Sequence, residues 1–219
     1  MLKNTNNGLP IKFGVIETSY GWLDLKVMFD DNEFTMHMSE LGCGLAALVD
    51  CLYYLYPDLG HDEYNFRNVE YGSCEGPAGS ENPDVIVTWE NVPWKTEILF
   101  EEEGSSYTWA LSRNISLDTD FMVDIKIEYS GSVENKEYKF SVRYKDLCYA
   151  VAKVCTETLK KYGLGGYQDN SWDNDINLRR LIFIKAIALD KLKEISSVWD
   201  HNEAKSDFAN EISILIMDM

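Results

Sequence analysis

Two stretches of the chain alternate apolar with polar side chains, at residues 121–129 and 138–144. Their apolar positions are Phe121, Val123, Ile125, Ile127, Tyr129, Tyr138, Phe140, Val142 and Tyr144. A period of two predicts strands with one buried and one wet face. Because a turn-like GSVENK sequence separates them, we predict that these two strands pair as an antiparallel hairpin.

Further runs rich in β-branched and aromatic residues predict six more strands. These runs cover residues 11–18, 21–29, 33–38, 85–90, 94–101 and 106–112. The first two flank Ser19, Tyr20 and Gly21, a turn-like sequence that predicts a hairpin. The later runs lead directly into the alternating pair, so the pattern predicts an antiparallel meander.

Helical spacing replaces the alternation in three places. Apolar residues recur at intervals of three and four after Gly44 and predict a helix that ends before Pro57. The predicted caps of the other two helices are Asp146 for the first, which ends near Gly163, and Asn177 or Asp175 for the second. The fold class is therefore α+β: an antiparallel β-meander sheet with about three helices packed mainly on one face.

We expect a single domain over residues 1–219 with a long acidic loop, containing Gly and Pro, at residues 57–84. The short apolar run Ile214 to Ile216 leaves residues 203–219 open between helix and strand. The amino-terminal residues lack the basic-then-apolar layout of a secretory signal, and charges interrupt every long apolar run. We therefore expect a cytoplasmic protein with no membrane partner.

Negative charge is concentrated in one third of the sequence. The chain has a formal net charge of −17, and residues 30–103, which we call the acidic segment, hold 17 acids and two bases. Only Arg67 and Lys95 are basic there. Direct binding to nucleic acid is disfavoured, because that mode needs clustered Lys and Arg to neutralise phosphates. The charge fits either a solvated surface that keeps the protein soluble or a docking face for a basic protein.

The docking interpretation gives a specific set of candidate partner-binding residues. These are Asp58, Asp62, Glu63, Tyr64, Glu70, Tyr71, Glu75, Glu101, Glu102 and Glu103. Tyr and Trp are common anchors at interfaces, and further aromatic candidates are Tyr53, Tyr54, Tyr167 and Trp172. Packing in the core is nevertheless the expected role of most aromatic residues.

Three motifs that suggest chemistry fail on their surroundings, so we predict no catalytic residue, cofactor or metal. GCGLAA at residues 42–47 is followed by no strand that would complete a dinucleotide site. Cys74 in GSCEG precedes Pro77 and Pro83, which would break the helix that an active thiol needs. DNSWDND at residues 169–175 lacks the Gly and Glu of a calcium loop. The five cysteines, Cys43, Cys51, Cys74, Cys148 and Cys155, are expected to be buried thiols.

The carboxy-terminal part of the chain, from the strand that carries Trp89, resembles uncharacterised bacterial proteins, some of which are similar to immunity proteins of polymorphic toxin systems. The resemblance is carried by Gly166 and Tyr167 together with Trp172 and Leu178. It implies an α+β domain that neutralises a toxin by binding it. The predicted function is thus a non-enzymatic acidic protein-binding domain with a basic partner such as a nuclease. The alternatives are a small-molecule enzyme with a pocket between the sheet and the 57–84 loop, and an acidic mimic of nucleic acid.

Overall fold

Antiparallel sheets and helices share one chain in the computed structural model, which confirms the α+β class. The structure describes residues 10–19, 22–38, 44–56, 85–88, 94–102, 104–113, 121–171, 176–195, 198–200 and 203–219. The predicted loop at residues 57–84 lies outside these ranges.

The first sheet has three strands in the order β1-β2-β3. They are β1 (Ile11–Ser19), β2 (Trp22–Phe29) and β3 (Asn32–Met38). The predicted hairpin and the third strand are both confirmed. Between β2 and β3, Asp30 has a φ of 47°, a left-handed conformation that Asp tolerates better than most residues. Because Phe29 lies opposite Asn32, the connection is only two residues long.

The second sheet is a five-stranded meander in the order β4-β5-β6-β7-β8. Its strands are β4 (Val85–Thr88), β5 (Trp94–Glu102), β6 (Ser105–Arg113), β7 (Met122–Gly131) and β8 (Asn135–Arg143). The predicted pairing of the alternating runs is confirmed, with Ile125 opposite Phe140. Two three-residue strands, β9 (Val198–Asp200) and β10 (Glu203–Lys205), form a separate ribbon.

Five helices lie within the described ranges. They are α1 (Gly44–Leu55), α2 (Tyr144–Ser171), α3 (Leu178–Ala188), α4 (Leu192–Ile195) and α5 (Phe208–Ile216). Asn177 caps α3 as predicted, since its side chain accepts the amide N–H of Arg180 at 3.2 Å. Gly163, with φ 72° and ψ 171°, interrupts α2 where an end was predicted, but helical turns continue to Ser171. The prediction of a helix end there was therefore only partly correct.

The start of α2 corrects two predictions. Tyr144 is the first helical residue and not the last strand position, so Asp146 lies in the first turn instead of capping it. Asp146 accepts hydrogen bonds from the Arg143 guanidinium, at 2.8 Å from Nε. The Tyr144 hydroxyl donates to the carbonyl of Leu52 at 2.6 Å, and its amide donates to that of Phe121. These long-range bonds fix the strand-to-helix junction, which local periodicity does not reveal.

An aromatic layer joins the two sheets. Phe29 of β2 stacks on Phe140 of β8, with ring centroids 4.0 Å apart. Phe34 of β3 stacks on Tyr107 and Tyr138, at 5.5 and 5.1 Å. Stacked aromatic pairs add about 0.5–1.5 kcal/mol each to the burial of their area. The core of the domain therefore lies where the inner faces of the sheets meet.

The helices complete this core, with one correction to the predicted layering. α1 packs on β5, and α2 lies along β1. α3 packs mainly on α1, α2 and α5, although we expected it to lie on the sheet. Nearly all of α3 from Arg180 to Ala188 is buried. A helix that is apolar around most of its circumference is stable only when neighbours cover it on several sides.

The apolar run Ile214 to Ile216, which the sequence left open between helix and strand, belongs to helix α5, and the short strand β10 precedes this helix. The Asp207 side chain caps α5 by accepting the amide N–H groups of Ala209 and Asn210, at 2.9 and 3.1 Å. Ile214 is buried against Ile182 and Ala186 of α3. Acceptors for the helix start thus come from Asp207, while one apolar side chain anchors the inner face.

Lys185 of α3 holds the other end of α5. Its side chain is fully buried, and Nζ donates to the carbonyls of Leu215 and Met217, at 2.9 and 2.5 Å, and to Thr156 Oγ1 at 3.1 Å. Burial, followed by the nearby Lys160 ammonium, lowers the pKa of Lys185 to about 8. The amine thereby satisfies carbonyls at a helix end that have no intrahelical donor.

This pKa predicts a pH dependence of stability. We expect the free energy of unfolding of the wild-type chain to rise, relative to that of Lys185→Met, as the pH rises from about 8 towards 10.5. In this window the unfolded chain binds the Lys185 proton more tightly than the folded chain, so removing protons favours folding. Urea denaturation of both proteins at about pH 7.5, 8.5 and 9.5 measures the difference. A difference that stays constant or changes in the opposite direction would contradict this account.

Candidate binding surface

Most of the predicted partner-binding residues lie outside the part of the chain that the structure describes. Those outside are Asp58, Asp62, Glu63, Tyr64, Glu70, Tyr71, Glu75 and Glu103. Glu101 and Glu102 end β5, where they lie opposite Ser106 and Ser105 in the backbone register. Gly104, with a φ of +82°, takes the left-handed conformation that a two-residue hairpin turn requires. Glu101 and Glu102 therefore end the strand that leads into the β5–β6 turn.

The described acids of the acidic segment differ in their surroundings. Asp30 and Asp31 are exposed at the β2–β3 turn. Glu33 is also exposed, and its carboxylate lies 2.6 Å from Lys26 Nζ. Asp50, in contrast, is buried on α1. Negative charge at Asp50 thus belongs to the interior and adds nothing to an acidic surface.

The Asp50 carboxylate forms a buried ion pair that sequence reasoning missed. Arg180 Nη1 of α3 lies 2.8 Å from Asp50 Oδ2, and Nη2 donates to the Tyr54 hydroxyl at 2.7 Å. The guanidinium carbon also lies over the rings of Tyr53 and Tyr54, at 5.3 and 4.8 Å from their centroids. Both charged residues are more than nine-tenths buried. The cluster connects α1 to α3, and its role is structural.

The sequence contains one weak signal for the ion pair of Asp50 and Arg180. Asp50 interrupts an otherwise apolar helix face, and a charge in such a position needs a partner. The sequence does not say which base supplies it. Of the aromatic candidates for an interface, Tyr54 and Tyr167 are buried in the core and Tyr53 is half-buried. Core packing, the expected role for most of them, is confirmed at these positions.

The outer face of the five-stranded sheet carries a shallow depression of about 460 Å³. It is lined by Ala110, Ser112, Asp124, Ile125, Lys126, Lys139, Phe140 and Ser141. Short side chains on β6 form its floor, and the longer charged side chains of β7 and β8 stand beside it. Ser141 donates a hydrogen bond to Asp124 across the two strands.

Four charges beside this depression neutralise one another. Lys126 lies opposite Lys139, and Glu128 lies opposite Glu137, so like charges face each other in the register. Lys126 Nζ reaches Glu128 at 2.6 Å and Glu137 at 3.2 Å, while Lys139 reaches Glu137 at 2.6 Å. The hydrogen bond that Lys126 donates to Glu128, with the one that it donates to Glu137, raises the pKa of Lys126, and the hydrogen bond that Lys139 donates to Glu137 lowers the pKa of Glu137. These shifts favour the charged forms of Lys126 and Glu137, and the two lysines and two glutamates have no net formal charge.

The described thiols are unsuited to nucleophilic chemistry. Cys51, Cys148 and Cys155 are buried, as predicted. The Cys51 sulfur lies 2.5 Å from Thr96 Oγ1, and burial raises the pKa of Cys51 to about 12. Burial also raises the pKa of Cys148. A thiol attacks as the thiolate, so these positions are inert at neutral pH. Cys43 and Cys74 lie outside the described residues.

No family model, curated protein or solved structure matches the chain. Among the residues that the structure describes, no group of three or more His, Cys, Asp and Glu side chains is placed to hold a metal ion. No helix within the described ranges is both long and apolar enough to cross a membrane.

Proposed function

We propose that the chain is a non-enzymatic acidic protein-binding domain that docks a basic protein, with a toxin such as a nuclease as the class of partner. The observation that carries this proposal is the uneven charge: the acidic segment holds 17 acids and two bases. A surface of one sign attracts an oppositely charged partner at long range and rejects partners of its own sign. The resemblance to immunity proteins supplies the toxin as the class of partner.

The tip of the β5–β6 hairpin supports a docking role. Glu101, Glu102 and Glu103 are consecutive in the sequence, and the first two end β5 next to the turn at Gly104. Consecutive acids concentrate negative charge in one segment of the chain, and contact with Lys or Arg would neutralise it. Asp30 and Asp31 add exposed negative charge at another two-residue turn. Hairpin tips combine exposure with a rigid base, which suits a recognition surface.

Charge reversal at the hairpin tip tests the proposal. We expect a variant with Glu101→Lys, Glu102→Lys and Glu103→Lys to lose at least about tenfold in affinity for a basic partner, because three attractions become repulsions. The partner is recovered on the immobilised chain at low ionic strength and released by added salt, and its affinity is then measured by titration calorimetry. The affinity should depend on salt, because at 0.1 M salt the attraction between exposed charges is largely screened beyond about 10 Å.

The matched control carries Glu134→Lys, Glu157→Lys and Glu194→Lys, three exposed acids outside the acidic segment. It changes the net charge by the same amount as the tip variant. Equal loss in both variants would contradict a local docking site. A bound metabolite recovered in place of a protein would favour the enzyme alternative. Displacement of the partner by double-stranded DNA would favour a mimic of nucleic acid.

A further inference from the structure

The carboxy-terminal helix exposes a row of large apolar side chains. Phe208, Ile212 and Ile216 are 74%, 37% and 67% exposed. Their spacing of four residues places them on one face of α5, and we call these three residues the α5 stripe. Isolated exposed apolar residues are common, but three in a row on one helix face form a contiguous patch that marks an interaction site.

The rest of the outward face is small and uncharged. Ala209 and Ser213 are exposed beside the α5 stripe. Short side chains at these positions let a second helix approach closely, because ridges of large residues can fit between them. The shape therefore suits a helix lying along α5.

The inward side of α5 is firmly held, so the α5 stripe is presented on a fixed frame. Asn210 Nδ2 donates to the carbonyl of Glu194 at 3.1 Å, and Ile214 is buried against α3. Lys185 binds the carbonyls of Leu215 and Met217 at the helix end. These contacts distinguish α5 from a frayed chain terminus, which would expose apolar residues but would not make such contacts.

The charges that α5 and its two ends carry indicate the class of occupant. Residues 207–219 contain Asp207, Glu211 and Asp218 and no Lys or Arg. Asp218 pairs with Lys160, while Asp207 and Glu211 lie at the start and along the flank of the helix. A second copy would bring the same acids together, on chains that each carry a net charge of −17. An anionic membrane is disfavoured for the same reason.

We propose that the α5 stripe docks an amphipathic helix of a partner protein, with apolar residues on one face of that helix and Lys or Arg beside them. The apolar face would cover Phe208, Ile212 and Ile216, and the cations would meet Glu211 and Asp207. The inference rests on the proposed function only for the positive charge of the partner. The surface itself is separate from the acidic segment.

A synthetic peptide tests this proposal directly. The probe is a helical peptide with Leu at positions i, i+3, i+4 and i+7 and Lys elsewhere, and its twin carries Glu in place of Lys. We expect Phe208→Ser combined with Ile216→Ser to weaken binding of the Lys peptide by about tenfold or more at 0.15 M salt, because two buried apolar contacts are lost. The Glu twin should bind much more weakly to the wild-type chain. Fluorescence anisotropy of labelled peptides measures both affinities.

Val133→Ser combined with Met122→Ser is the matched control, since these apolar residues are 95% and 46% exposed and belong to the β7–β8 hairpin. This control and the charge-reversed hairpin-tip variant should keep the affinity of the wild-type chain. Equal loss in all three variants, or no loss in the α5 variant, would overturn the proposal. Sedimentation equilibrium showing a dimer that Phe208→Ser with Ile216→Ser dissociates would assign the surface to a second copy instead. Binding of the chain to phosphatidylserine vesicles through the same residues would assign it to a membrane.

Discussion

Replacing Arg180 by methionine should lower the free energy of unfolding by about 3–5 kcal/mol. The substitution removes the guanidinium that lies 2.8 Å from the Asp50 carboxylate and leaves that buried charge without its cation. The Tyr54 hydroxyl loses its donor at the same time. Desolvated charges are costly unless an opposite charge lies close, so most of the loss comes from Asp50. Urea denaturation at neutral pH measures the change.

Two further variants decide whether the ion pair is responsible. Arg179→Met alters the exposed neighbour of Arg180 and should change the free energy of unfolding by less than about 0.5 kcal/mol. The double variant Asp50→Leu with Arg180→Met removes both charges, and it should be more stable than Arg180→Met alone. A double variant no more stable than the single one would show that packing of the arginine, and not the stranded carboxylate, accounts for the loss.

Trp109→Ala should also cost about 3–5 kcal/mol, because it opens a large cavity where the sheets meet. The Trp109 side chain is fully buried, with the rings of Phe13 and Phe100 each at 6.0 Å between centroids. Phe13 belongs to the first sheet and Phe100 to the second, so the indole links both. Thermal and urea denaturation report the loss.

Trp109→Phe gives the informative comparison. Within the described part of the chain, the indole Nε1 has no hydrogen-bond acceptor. Phenylalanine removes this buried donor and keeps much of the aromatic area, so we expect a loss below about 1.5 kcal/mol. A loss as large as that of Trp109→Ala would contradict this account, because it would show that the phenyl ring does not replace the packing of the indole.

The sequence predicted those strands and helices whose apolar residues recur at a regular spacing along the chain. The alternation in β7 and β8 arises because one face of each strand packs on apolar neighbours, and this leaves a period of two in the chain itself. The start of α1 and the cap at Asn177 were predictable for the same local reason. Tyr144 was placed wrongly because its side chain is inward in either a strand or a helix. Its hydrogen bond to Leu52, 92 residues away, decides the structure.

The candidate sites were less accessible to sequence reasoning. Tyr54 and Arg180 lie 126 positions apart, and the residues around each of them do not indicate that the two side chains are in contact. The α5 stripe was hidden because Ile214, Leu215 and Ile216 form a short apolar run that suits a strand equally well. Only the fold shows that Ile214 faces inward while Ile216 faces outward. Asp207 was the available helix signal, since Asp is a favoured cap.

β8 ends the order of the five-stranded sheet, and its main-chain donors and acceptors would ordinarily invite another strand. The exposed side chains along this edge include Lys136, Glu137, Lys139 and Arg143. A neighbouring molecule that added a strand here would have to strip water from several of these groups at once, without a matching set of counter-charges. Growth of the sheet from molecule to molecule, the route by which open β-proteins form fibres, is therefore opposed along β8.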